Sequence, residues 1–223
     1  MGFLSRRKHL FLLLIYPLVG LGFLFCELTV TSPTYLIEWP QVDRAIPFVP
    51  FMVWPYVAWY FVVAFPFLWL GWRDGSEFVR YCAFIFGGMT SAYVIYLLFP
   101  NGIALRPSLD ALGNGWEYDA LRWVYHNSTP RNVSPSIHVI DTWGVWFALS
   151  RDKTLGPKLW FKGLLALLCT AIIASTVTIK QHSVIDIFTG TLWSCLCYFF
   201  CYSRLSPFFR GARKGLPQEK GAP

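Results

Sequence analysis

The chain has 223 residues, of which 55% are hydrophobic, 19% aromatic and only 14% charged. An ordinary soluble domain is ~45–50% apolar and ~25% charged, so this balance excludes a disordered chain and argues against a soluble globule. The net charge of +7 would suit a nucleic-acid partner, but the distribution of that charge along the chain points to a lipid bilayer and to no nucleic acid.

A bilayer crossing needs about 20 mostly apolar residues, and six segments read as spans. The first runs from about His9 to Cys26, opening with Leu10-Phe11-Leu12-Leu13-Leu14. Its charged flank, Ser5-Arg6-Arg7-Lys8, also fits a signal peptide, but the bulky Phe25-Cys26-Glu27-Leu28 offers no small-x-small cleavage site, so it is read as a retained span. The second is Phe51 to Trp72 and the third Arg80 to Phe99. The fourth, Ser136 to Ser150, is short and more polar. The fifth is Lys162 to Ile179 and the sixth Ser183 to Tyr202. The expected fold is therefore all-α: a single polytopic six-helix membrane domain over residues 1–203. A basic tail, 204–223, reads as a disordered cytoplasmic end.

Lys and Arg orient such a chain. With the N-terminus cytoplasmic, fourteen of the 19 Lys and Arg lie inside; only Arg44, Arg106, Arg122, Arg131 and Lys180 lie outside. Both termini are thus expected in the cytoplasm, and the basic excess also suits anionic lipid. The six cysteines sit in apolar runs without C-x-x-C or zinc-ligand spacing. They read as small hydrophobes, and no metal and no cofactor is expected.

Ionisable groups within spans are costly and therefore candidates for function. Apart from basic flanks these are His138 and Asp141 on the fourth span and His182 and Asp186 on the sixth. Arg106, Arg131 and Lys180 stand at the same outer face. His182 and Asp186 are i and i+4 and share a helix face. A carboxylate there can fix one imidazole tautomer and leave the other nitrogen as base or nucleophile; it can also be a hydrogen-bonded pair that only stabilises the bundle. Ser134 suits an N-cap and Pro135 the first helical position. The fourth span would then begin there, with free N–H groups, the Ser136 hydroxyl and His138 at an anion-binding helix end. The plain reading of the same residues is a capped helix with an interfacial histidine. Arg106-Pro107 alone says little. The loop Asn101 to Pro135 is long for a connector; its Trp116, Tyr118, Trp123 and Tyr125 read as headgroup-site residues or interfacial anchors. Asp141, three residues after His138, would tune that histidine, pair with a cation, or be a hydrogen-bonded intramembrane acid.

In order, Arg106-Pro107, Pro135-Ser136-Ile137-His138 and Ser175…His182…Asp186 resemble the type 2 phosphatidic acid phosphatase superfamily, the lipid phosphatase and haloperoxidase group. The resemblance runs from about Phe99 to Gly190. Lys180-Gln181-His182 and Ile46-Pro47-Phe48 resemble a bacterial branch that is also similar to the inositol phosphorylceramide and sphingomyelin synthases. Two family cations are missing. Phe99 stands where the family has a lysine, and Thr176 where it has an arginine. Lys180 and Arg131 are expected to restore their charge.

The resemblance implies an integral membrane lipid-phosphate phosphatase, in a bacterial plasma membrane with its site at the outer face. His182 would be the nucleophile that becomes a phosphohistidine, Asp186 its orienting carboxylate and His138 the general acid and base. Arg106, Ser136, Lys180 and Arg131 would bind phosphate oxygens, with Asp141 and Ser175 behind them. Phosphatidic acid, phosphatidylglycerol phosphate or a polyprenyl diphosphate would be the substrate. A headgroup phosphotransferase with an alcohol acceptor shares the first step. A transporter or scaffold on the same fold is the non-catalytic alternative. The first two spans, poor in polar groups, read as packing or homodimer surface.

Overall fold

The computed structural model describes residues 7–108 and 112–203; the expected tail, 204–223, lies outside them. The described chain is mostly helical. A 3-10 turn, Lys8–Leu14, runs into α1, Ile15–Thr29. A two-residue strand β1, Tyr35–Leu36, and a short helix α2, Pro40–Ala45, follow. A second 3-10 turn, Pro50–Met52, leads into α3, Val53–Arg73. Next come α4, Gly75–Leu98; β2, Asn101–Gly102; α5, Trp116–Asn127; α6, Ile137–Arg151; α7, Leu159–Thr178; and α8, Val184–Tyr202.

Five of the expected spans are helices long and apolar enough to cross a membrane: Lys8–Thr29, Pro50–Arg73, Gly75–Leu98, Leu159–Thr178 and Val184–Tyr202. The expected fourth span is the exception. Its helix α6 has 15 residues, about 22 Å at 1.5 Å per residue, against a hydrocarbon core of about 30 Å. It packs against α3, α4, α7 and α8 and buries ten of its residues, among them His138, Asp141 and Thr142. A helix enclosed by four others need not be apolar on every face, which is why its sequence is more polar than that of its neighbours. At the other extreme, only 11% of the Lys8–Thr29 window is buried, and α1 packs mainly along α4.

Helix boundaries differ from the sequence reading where capping decides them. The third span starts at Gly75 rather than Arg80, because Asp74 accepts from the backbone N–H groups of Ser76 and Glu77, each at 3.1 Å. α3 and α4 are consequently joined by a single residue. Arg80 then lies one turn inside α4, paired with Glu77 at 3.0 Å.

The long loop contains a helix that its composition hid. α5 buries Leu121, Val124 and Tyr125 against Val53, Tyr56 and Ile179, and leaves Trp116 and Trp123 exposed. β1 and β2 pair in parallel, Tyr35 with Asn101 and Leu36 with Gly102, which ties the first connecting segment to the second. The C-terminal ends of α4 and α7 and the N-terminal ends of α6 and α8 meet at this same end of the bundle. The opposite end carries a charged set, Arg73, Asp74, Glu77, Arg151 and Lys153, in which Lys153 lies 3.4 Å from Asp74 and Arg151 lies 3.5 Å from Glu77.

Candidate active site

The start of α6 differs from the expectation of an N-cap at Ser134. The Ser134 and Val133 N–H groups donate to Asn101 Oδ1 at 2.8 and 3.0 Å, and Asn101 Nδ2 donates to the Ser134 carbonyl at 2.9 Å. The Tyr96 hydroxyl donates to the Pro135 carbonyl at 2.6 Å. With these backbone groups committed to side chains of α4 and β2, the helix begins at Ile137 and Ser136 is its N-cap. The fully buried Ser136 hydroxyl accepts from Val139 N–H at 3.4 Å and also lies 3.3 Å from His182 Nε2.

His182 is held by the turn between α7 and α8. Gln181 N–H and His182 N–H both donate to the Thr176 carbonyl, at 2.9 and 3.0 Å. Ser183 and Asp186 then form a capping box at the head of α8. Asp186 Oδ2 accepts from Ser183 N–H at 3.0 Å and from His182 Nδ1 at 3.2 Å. A carboxylate accepting at Nδ1 leaves Nε2 with its lone pair directed at Ser136. One acid therefore both starts the helix and sets the histidine.

His138 faces this pair, its ring centroid 5.5 Å from that of His182. Tyr56 stacks on it at 4.5 Å and Trp59 lies at 4.4 Å. Arg106 arrives from the loop after β2, lies over the Tyr125 ring at 4.7 Å and donates to Gln181 Oε1. Buried polar atoms normally find hydrogen-bond partners. Among the described residues, both ring nitrogens of His138, Arg106 Nε and Gln181 Nε2 are buried without one. Three side chains around His182 thus carry polar atoms with no partner among the described residues.

The electrostatics favour a neutral His182 beside a lasting cation. Burial, and next the Arg106 charge, lower His182 from the ordinary 6.5 to about 3. Burial also lowers Arg106, to about 10, which leaves it charged at neutral pH. Among the described residues no three His, Cys, Asp or Glu side chains gather as metal ligands would.

The structure brings His182, Asp186, Ser136, His138 and Arg106 together. It does not bring Lys180 or Arg131 to them. Lys180 Nζ donates to the carbonyls of Asp43 and Ile46, each at 2.6 Å, and is buried there. Arg131 donates to the Thr31 carbonyl and to Thr129 Oγ1. Neither ammonium nor guanidinium is positioned to replace the cations missing at Phe99, which is exposed, and Thr176, which bonds to its own helix. Ser175 likewise donates to the Ile172 carbonyl at 2.5 Å within α7. Asp141 is fully buried one turn below His138, and among the described residues neither of its oxygens has a hydrogen-bond partner or a paired cation.

Gln181, Tyr56, Trp59, Asn101 and Asp43 complete the surroundings and were not singled out by sequence. Gln181 adjoins His182 and carried a signal in the Lys180-Gln181-His182 triplet. The aromatics of the second span carried none. Beside Ser134 and Pro135 a mainly apolar groove of about 540 Å³ runs between α4 and α8, lined by Ile95, Phe99, Leu192 and Trp193 among others. No family model, curated protein or solved structure matches the chain.

Proposed function

We propose that the chain is an integral membrane lipid-phosphate phosphatase that works through a phosphohistidine on His182. The observation that carries this reading is the line Asp186–His182–Ser136 with His138 and Arg106 facing it. It supplies a nucleophile with a fixed tautomer, a second histidine for proton transfer, and a cation for the phosphate.

His182 Nε2 attacks phosphorus, and the bond from phosphorus to the lipid oxygen breaks. His138, protonated by the proton that the phosphate monoanion brings into the site, gives that proton to the departing oxygen. Asp186 stabilises the imidazole as it gains positive character. In the second half, His138 takes a proton from water as the water oxygen attacks phosphorus and the P–N bond breaks, returning neutral His182 and releasing phosphate. Arg106, Ser136 and Gln181 bear the equatorial oxygens. Phosphoryl transfer asks mainly for such positioning and charge.

The resemblance of the three motifs to the type 2 phosphatidic acid phosphatases supports the same chemistry. α6 would be the fourth of six spans, enclosed rather than lipid-facing. The groove beside Ser134 and Pro135 supports a substrate that keeps an alkyl chain in the bilayer. The basic residues at the far end support cytoplasmic termini and a site at the outer face.

The test is phosphate release by the purified protein in mixed micelles with EDTA, on phosphatidic acid, phosphatidylglycerol phosphate and undecaprenyl diphosphate. Release that persists in EDTA and vanishes in His182→Ala is the expected result. No release with any of them, but transfer once an alcohol acceptor is added, would replace hydrolysis by headgroup transfer.

A further inference from the structure

Asp43 lies on α2, about 140 residues before His182 in sequence, yet it is bonded to the turn that carries that histidine. Its side chain is buried. Oδ2 accepts from the Ser183 hydroxyl at 2.7 Å and from Trp39 N–H at 2.7 Å. Oδ1 accepts from Val184 N–H at 2.9 Å. The Asp43 carbonyl accepts from Lys180 Nζ, which also reaches the Ile46 carbonyl. Val49 N–H donates to the Thr178 carbonyl at 3.0 Å. Contacts from α2 and the segment after it therefore grip the turn before His182, at Thr178 and Lys180, and after it, at Ser183 and Val184.

The first N–H groups of a helix have no partner within it. At α8 Asp186 takes one from inside the helix, and Asp43 takes another from a distant segment. Ser183 joins the two acids. Its backbone N–H goes to Asp186 and its hydroxyl to Asp43. A shift of Ser183 would move the carboxylate that orients His182. Three donors converge on the Asp43 carboxylate, and an amide would turn its NH2 toward at least one of them.

We propose that Asp43 is a positioning residue: with Lys180 it locks the first turn of α8 against α2 and so holds the His182 imidazole in line with Ser136 and His138. This rests on His182 being the nucleophile. It also gives Lys180 a role different from phosphate binding.

The experiment compares Asp43→Asn with Asp74→Ala, which removes a helix cap at the opposite end of the bundle. Turnover and the 15N signals of labelled histidine imidazoles are read in both, in detergent micelles. Asp43→Asn should lower kcat about 10²-fold, the scale of a ~1 Å misplacement, while KM stays nearly constant. It should shift the His182 signals and leave those of His9 and His126 in place. Asp74→Ala should lower the melting temperature without either effect. Should Asp43→Asn fail to fold, Ser183→Ala removes one of the same bonds and should move His182 in the same direction, with a smaller loss of kcat. The proposal is overturned if the folded Asp43→Asn protein matches wild type in kcat and in the His182 signals. It is equally overturned if Asp74→Ala loses kcat as much as Asp43→Asn. If wild type has no turnover, the proposed function fails, and the imidazole signals still decide the role of Asp43.

Discussion

His182 illustrates how one buried side chain is set by its neighbours. Its Nδ1 is committed to Asp186 and its Nε2 faces Ser136, while burial and the Arg106 charge disfavour a proton. A histidine whose folded pKa lies below its unfolded value is a stabilising group above pH 6.5. That contribution is lost as the pH falls toward about 3, because the unfolded chain then binds the proton that the folded site refuses. A 15N titration should find His182 neutral from pH 8 down to pH 5, about two units above its folded pKa. Arg106→Met should raise its midpoint only part of the way toward 6.5, since burial is the larger cause. A wild-type midpoint near 6.5 would contradict the description of the site. The two histidines and the acid were legible as ionisable groups in apolar runs, where chance placement is costly. Lys180 was read as a phosphate ligand from its place in sequence. Its left-handed backbone, φ 55°, and its carbonyl partners on α2 were not readable, because nothing local to the turn encodes contacts some 137 residues away.

At the scale of elements, the site depends on how closely α6 and α8 approach. A Cβ at Gly190 would lie 2.8 Å from the Val139 Cβ and 3.0 Å from the Ser136 carbonyl oxygen. Neither atom can swing aside, as the end of a long side chain could. Gly190→Ala should therefore push the two helices apart and cost about 1–3 kcal/mol, only partly offset by the ~1 kcal/mol that alanine adds in helix propensity. Because Ser136 and His182 sit on opposite sides of that contact, activity should fall with stability. Thermal unfolding and turnover of the purified variant check this, and an unchanged melting temperature would show that the helices have room to spare. The five long apolar helices could be read from length and hydropathy alone. α6 could not be read as cleanly, since enclosure by other helices removes the need for an apolar surface. α5 and α2 were missed for a related reason. Each is short, and each is held by contacts with other segments: α5 by Leu121, Val124 and Tyr125 on α3, α2 by Lys180 and Ser183.

At the scale of the whole molecule, polar chemistry is segregated along the bundle. One end holds the charged set around Asp74 and Glu77. The other holds His138, His182, Asp186 and Arg106, and an apolar groove between α4 and α8 opens beside Ser134 and Pro135 at that end. The connecting segments are not passive at that end. β1 pairs with β2, α2 braces the His182 turn, and α5 carries the Tyr125 ring beneath Arg106. The second span, which with the first reads in sequence as packing or homodimer surface, thus supplies Tyr56 and Trp59 to the surroundings of the two histidines, and the segment before it supplies Asp43. Under the proposed function, this arrangement would take a phosphate at the end of an alkyl chain and transfer it once to protein and once to an acceptor.

The most direct test is to trap that protein-bound phosphate. The purified protein would be mixed with 32P-labelled phosphatidic acid, quenched in alkali within the first turnovers, and digested to locate the label. The account predicts an alkali-stable, acid-labile phosphoryl group on His182, absent from His182→Ala and both formed and released more slowly in His138→Ala, which lacks the acid for its formation and the base for its release. Label on another residue, or phosphate release in full with no labelled protein at any time, would contradict it.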